Sequence, residues 1–317
     1  MQSSSEPASQ PSGASRSELP AHLAAAAERL ALYASLGTRS PRHVHTSDDL
    51  RVTAETLNDA FGGRHDENHP PAVVVQVARD QRIYWALGAG DLSRMAGLMA
   101  KAWSAIGIRT GDSIALYDYA TSPTVLCASR SYVPHLDAGA ADILGCLPIC
   151  NDGLPELADR CVHIFEHVRP AAAFVDIEAV DPLLRAVARR PEANRPARVI
   201  ITGDESVVGP GRLRELREAL GTEVTQMLRA DGPMLLAPPC AAVPMAFHPD
   251  PSHYLVEATA RDGSGDTASA RGRITVSNLA LASSVVVRYV TNLTGHVGNG
   301  ACRCGNAGPK VVIDDDG

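Results

Sequence analysis

The sequence predicts an α/β protein: an open, mainly parallel sheet with helices on both faces, followed by a β-rich subdomain. Three observations carry this. Short apolar runs alternate with amphipathic helical stretches through the middle of the chain, the pattern of βα units in a parallel sheet. Beyond about Gly221 the apolar residues recur at every second position between Gly/Asp turns, as in antiparallel strands. And 317 residues, 45% hydrophobic and 21% charged, suffice to bury a core spread over about two domains.

Residues 1–20, "MQSSSEPASQPSGASRSELP", carry neither a basic nor an apolar leader segment, and their composition reads as a disordered tail. Residues 21–69 hold two helices. The first, "AHLAAAAERLALYASLG", stops at Gly37. The second, in "TSDDLRVTAETLNDAFGG", takes Ser47 as N-cap, acidic residues in its first turn and Gly62 beyond its end.

Residues 70–220 form the α/β domain. "AVVVQVARDQRIYWALG" reads as two short strands joined by a polar turn. Asp91 caps the helix "LSRMAGLMAKAWSAIG", and "SIALYDY" is a strand. The strands "CLPIC", "AAAFVD" and "RVIIT" are each followed by a helix, respectively "LPELADRCVHIFEHV", "IEAVDPLLRAVARR" and "GRLRELREALG". Residues 221–317 form the β-rich subdomain, with strands in "HYLVEATA", "GRITVSNL" and "SSVVVRYV".

The net charge of −7 argues against nucleic acid as the main partner, because phosphate binding wants a basic face. No run approaches the ~18 apolar residues of a membrane span. With no export signal the chain is expected in the cytoplasm, its seven cysteines reduced.

Two of those cysteines stand one residue apart in "GACRCGNAGP". Thiolates on a Gly-rich knuckle can point at one metal ion, but zinc wants four ligands. The β-rich part offers Cys240 and, eight residues on, His248, which with Cys302 and Cys304 completes a closed structural zinc set. On spacing alone a second reading stays open, with Cys240 a small core residue and the knuckle a plain loop. His253 is the competing imidazole, read as a polar surface or pocket residue. Cys127, Cys146, Cys150 and Cys161 lie on apolar segments and read as buried hydrophobes.

Other signals weigh less. Gly88–Asp91, "GAGD", reads as a helix cap and not as a phosphate loop. His163 and His167 share a helix face, and with no third ligand in view the pair reads as structural. No G-x-S-x-G elbow anchors a serine hydrolase.

From about residue 70 onward these segments resemble the phenylacetate–coenzyme A ligase family of adenylate-forming enzymes. "GIRTGDSIAL" is similar to the family's G-(L/V)-R-x-G-D segment, and "GAADILGCLPICNDG" to its G-A-x-x-L-G-A strand and turn. "ITGDES" with "RLRELREALGTEV" resembles the G-G-E-P loop against the nucleotide and the helix after it. "FHPDPSHYLVE", "GRITVSNL", "VRYVTNLT" and "CRCG" are similar to the L-H-x-x-x-D-H-(F/Y)-x-x-E, G-E-L-V-x-T-x-L, I-R-Y-x-T-G-D-L and C-x-C-G segments, in the same order.

The resemblance implies a zinc ion on Cys240, His248, Cys302 and Cys304, with His253 as the second, non-ligand histidine. It implies nucleotide-site positions at Gly203, Asp204, Glu205, Asp231, Arg288, Tyr289 and Thr291. It assigns no catalytic residue.

The departures point away from ATP and magnesium. The family's phosphate loop T-S-G-T-T-G-K-P is replaced by "QVARDQRI", residues 76–83, without one Gly, Ser or Thr. "MLRAD" keeps only Asp231 of the Y-G-x-(S/T)-E segment, and Leu293 stands where the ribose-binding Asp belongs. The sequence stops at "VVIDDDG", where the family's C-terminal lid would begin, so the lid is expected absent.

Three readings follow. The first is acyl transfer from a thioester of coenzyme A or an acyl carrier protein. The second is a catalytically inactive binding or partner subunit. The third is an aryl-acid CoA ligase completed by another chain.

Overall fold

The computed structural model describes residues 21, 30–32, 46–76, 84–133, 135–259 and 271–315. The expected tail, most of the first helix and the turn at 77–83 lie outside the described residues.

The second expected helix runs over Ser47–Leu57 (α1), one residue out of the expected register. Thr46, and not Ser47, is its N-cap. The Thr46 hydroxyl accepts from the Asp49 N–H while the Asp49 carboxylate accepts from the Thr46 N–H at 2.7 Å, a reciprocal pair that Ser47 cannot make from inside the helix. The helix ends on Asn58, in the left-handed conformation, ahead of Gly62. Val73–Gln76 (β1) and Tyr84–Leu87 (β2) pair antiparallel. The next helix, Ala89–Ala105 (α2), begins two residues before Asp91, which caps it from the third position by accepting from the Gly88 N–H at 3.0 Å.

The parallel sheet takes its strands from Ser113–Tyr117 (β3), Leu147–Cys150 (β4), Ala172–Asp176 (β5), Arg198–Thr202 (β6) and Glu223–Gln226 (β7). They lie in the order β4-β3-β5-β6-β7, every neighbouring pair parallel. Because successive strand residues face opposite sides, the sheet divides its apolar side chains between two cores. Ile114, Leu116, Phe174 and Ile200 face α2, where Trp103 stacks on Phe174 at 4.9 Å. Ala115, Tyr117, Val175 and Ile201 face the helices Ala158–Val168 (α3), Val180–Arg189 (α4) and Pro210–Leu220 (α5).

Leu228–Ala230 (β8) and Leu235–Ala237 (β9) form a hairpin. Ala246–Phe247 (β10), Tyr254–Thr259 (β11), Gly272–Asn278 (β12), Val286–Gly298 (β13) and Lys310–Ile313 (β14) build an antiparallel sheet in the order β10-β14-β13-β12-β11. The sequence assigned no strand to β10 or β14. The inner faces of this sheet, including Phe247, Ile274, Val276 and Val311, join the same core as α2 and the first hairpin. No helix among the described residues is long and apolar enough to cross a membrane.

Candidate functional site

The four expected metal ligands converge. Cys240, His248, Cys302 and Cys304 place their donor atoms within 4.8 Å of one another. Cys240 Sγ lies 3.5 Å from Cys302 Sγ, and Cys304 Sγ lies 3.2 Å from His248 Nε2. A tetrahedral zinc with Zn–S near 2.3 Å and Zn–N near 2.05 Å would set these edges at about 3.8 and 3.6 Å. The donor set can therefore close on one ion with shifts of a few tenths of an ångström.

Local structure explains the convergence. The Cys302 N–H donates to Asn306 O and the Gly305 N–H to Cys302 O, a tight knuckle that needs Gly305 at φ +90°. The Cys304 backbone N–H, aimed at the Cys302 thiol, holds that thiol below its ordinary range. His248 is set against Pro309 O at 3.2 Å through Nδ1. A carbonyl can only accept, so Nδ1 carries the proton and Nε2 presents its lone pair to the cluster. His253 is not in the group; its Nδ1 meets the Ser252 hydroxyl at 2.9 Å. Of the remaining cysteines, Cys127 and Cys161 are buried, while Cys146 and Cys150 are only half-buried, a correction to the expectation that all four are.

The expected nucleotide-site residues divide into two groups. Gly203, Asp204, Glu205, Asp231 and Tyr289 come together. The Asp231 N–H donates to Asp204 Oδ1 at 2.7 Å, Tyr289 hydrogen-bonds Glu205 and Ser47, and the Asn292 N–H donates to Glu205 Oε2 at 2.7 Å. Glu205 sits at φ +46°, and burial beside Asp204 pushes its carboxyl up to about 7. Gly232 is required here, since a Cβ on it would lie 2.4 Å from the Tyr289 ring. Arg288 and Thr291 stand apart. Arg288 on β13 reaches across β12 to Glu257 on β11 at 3.6 Å, and the Thr291 hydroxyl donates to Ile274 O within the sheet. Leu293 is buried.

At the carboxyl ends of the parallel strands stands a cluster that sequence reasoning missed. Arg229, on β8, is buried and pairs with Asp118 at 2.5 Å, Asp176 at 3.1 Å and Asp231 at 2.8 Å. Thr202 donates to Asp118 at 3.0 Å. Asp118 follows β3 directly, while Asp176 and Thr202 end β5 and β6, so parallel strands deliver all three to one edge. Burial works to lower the guanidinium, but Asp118, Asp231 and Asp176 hold it above its ordinary value. Burial also raises Asp231 well above the carboxylate range, and Arg229 offsets this only in part.

Asp231 also borders an open recess walled by Val75, Trp85, Leu87, Leu126 and Met234. Trp85 is buried, with the Arg64 guanidinium 4.2 Å from its ring centre, and its indole Nε1–H meets no acceptor among the described residues. The recess thus combines mostly apolar walls with the polar side chains of Gln76, Thr121 and Asp231.

Comparison with protein-family models and with curated sequences finds no match. Solved structures do match. The chain is similar to a 2-hydroxyisobutyryl-CoA ligase solved with 2-HIB-AMP and CoA, with a TM-score of 0.72 and 18% identity, covering 92% of this chain and 66% of that one. It is also similar to the amide bond synthetase McbA of Marinactinospora thermotolerans (TM-score 0.50, 14% identity, 76% and 48% covered). Mycobacterium smegmatis MbtA matches at TM-score 0.52 and 12% identity, with 76% and 45% covered. The chain thus spans just under two thirds of the ligase and less than half of the other two. Its fold is that of the N-terminal domain of adenylate-forming enzymes.

Proposed function

We propose that this chain is a phenylacetate–CoA ligase-like protein of the cytoplasm that moves the acyl group of a preformed thioester to an acceptor. The thioester is one of coenzyme A or an acyl carrier protein, and the acyl group is aromatic or apolar. The recess beside Asp231 carries the reading. Its largely apolar walls suit such a group, which would have to widen a recess that now encloses about 10 Å³. An acceptor amine attacks the thioester carbonyl, a C–N bond forms and the C–S bond breaks. The thiolate leaves with the proton that the amine gives up. A thioester is already activated, so the step needs positioning and not ATP.

Gly203, Asp204, Glu205, Asp231 and Tyr289 border this site in the proposal, with Arg288 and Thr291 supporting the strand behind it. The set of Cys240, His248, Cys302 and Cys304 holds a structural zinc that fastens the 240s loop to the knuckle and takes no part in the reaction.

ATP-dependent adenylation is not expected. Residues 76–83 offer no Gly, Ser or Thr to cradle phosphates, and the buried Leu293 cannot accept a ribose hydroxyl. Losing one electrostatic contact to the reacting groups costs on the order of 10²–10³ in rate.

A second reading, a binding subunit without chemistry, draws on the strand-end cluster, where Arg229 takes up Asp118 and Asp176. The full chain incubated with a panel of aryl and acyl-CoA thioesters and an amine separates the two. Release of free thiol above the uncatalysed rate supports transfer, and a thermal shift without thiol release supports the binding subunit. Pyrophosphate release from ATP and aryl acids at rates typical of a working ligase overturns both.

A further inference from the structure

The helix α3 carries a second constellation, on the far side of its own axis from its buried face. Cys161, Val162 and Phe165 anchor it in the core, while His163 and His167 are exposed and Glu166 is half-buried between them. Histidines four residues apart on a helix share one face, the spacing by which H-E-x-x-H helices bind zinc. Glu166 is the third donor that the sequence reading did not weigh.

The geometry converges. The two imidazole centroids are 4.1 Å apart, and Glu166 Oε2 lies 3.8 Å from His167 Nε2. Donor atoms of all three residues fall within 4.8 Å of one another. His167 and Glu166 stand in the last turn of α3, where the negative end of the helix dipole favours a cation. Arg190 approaches Glu166 Oε2 at 3.4 Å and opposes it. A carboxylate has two oxygens and about four lone-pair directions, so Glu166 can keep Arg190 and still ligate. Asn194 steadies the same turn by donating to Glu166 O at 3.2 Å.

We propose that His163, Glu166 and His167 form a surface site for one divalent transition cation of borderline softness, such as zinc, nickel or cobalt. Two imidazoles and a carboxylate select such ions over calcium or magnesium, and the exposed side leaves the remaining coordination positions to water or a partner's ligand.

The test uses untagged full-length protein first incubated with zinc and dialysed, then titrated with cobalt(II) and followed by equilibrium dialysis and absorption. The expected result is one further equivalent bound without a thiolate-to-cobalt charge-transfer band, which separates this site from the cysteine cluster. His163→Gln and His167→Gln should each weaken that equivalent by about 10-fold or more, and Glu166→Gln by several-fold. Circular dichroism and melting of the metal-free variants should match the parent, because both histidines are exposed. Failure of the parent to bind, or equal binding by the His163→Gln/His167→Gln double variant, overturns the proposal. Unchanged binding by Glu166→Gln overturns the three-ligand assignment.

Discussion

Replacing Arg229 by methionine is the sharpest probe of the strand-end cluster. The guanidinium holds Asp118 at 2.5 Å, Asp176 at 3.1 Å and Asp231 at 2.8 Å, with every one of these side chains at most 7% exposed. One cation stands among three carboxyls, and burial raises the Asp231 carboxyl above its ordinary range. Arg229→Met keeps an apolar stem of similar length and removes the charge, leaving Asp118 and Asp176 buried without compensation. Breaking a buried ionic group from one side costs about 3–5 kcal/mol. That is a large share of the roughly 5–15 kcal/mol that holds a domain folded.

The cost should depend on pH in a fixed direction. Uncompensated burial raises the carboxyl values in the folded variant above those in the unfolded chain, so the folded state binds more protons. Stability then falls as pH rises, and the deficit is small near pH 4 and full above about pH 7. Urea unfolding of parent and variant across that range reads it. Two partner substitutions locate the proton. Asp231→Asn, at the carboxyl that burial raises most, should cost less than about 1 kcal/mol, and Asp118→Asn about 1.5–3 kcal/mol. Equal costs for these two, or a deficit in Arg229→Met that does not grow with pH, would refute the reasoning.

Three further outcomes are expected. Glu205, raised to about 7, binds an extra proton in the folded state, so its stabilisation is present below its ordinary range and lost as pH rises through 7; Glu205→Gln should flatten that decline in urea unfolding. Chelator treatment should lower the melting temperature, and Cys304→Ser should leave less than about half an equivalent of zinc by elemental analysis. Gly232→Ala puts a methyl where 2.4 Å separates it from the buried Tyr289 ring, and should cost about 1–3 kcal/mol by thermal or urea unfolding, partly recovered by adding Tyr289→Leu.

The parallel sheet was legible because its strands are buried on both faces and so read as continuous apolar runs, "SIALY", "AAFVD" and "RVIIT", set between amphipathic helices. The start of α1 was missed by one residue because Thr46 and Ser47 both carry a capping hydroxyl, and only the reciprocal bond to Asp49 chooses between them. Strands β10 and β14 left no periodic signal. β10 is only two residues long, and the pairing of β10 with β14 and of β14 with β13 defines both. That same pairing runs beside His248 and Pro309, so the convergence of the four metal donors is a tertiary fact of which C-x7-H and C-x-C record only the ends.

Arg229 illustrates a harder limit. Its partners Asp118 and Asp176 lie 111 and 53 residues away, so no window of the sequence contains the cluster. A usable signal was nonetheless present, since each of three apolar runs ends on a polar residue, Asp118, Asp176 and Thr202, at the edge where open α/β sheets bind ligands. In this chain those three are turned onto Arg229, and Arg229 in turn holds Asp231. The groups that strand topology offers to a ligand are therefore spent on one another. Toward the recess the chain presents Asp231, whose N–H donates to Asp204, together with Gln76 and Thr121.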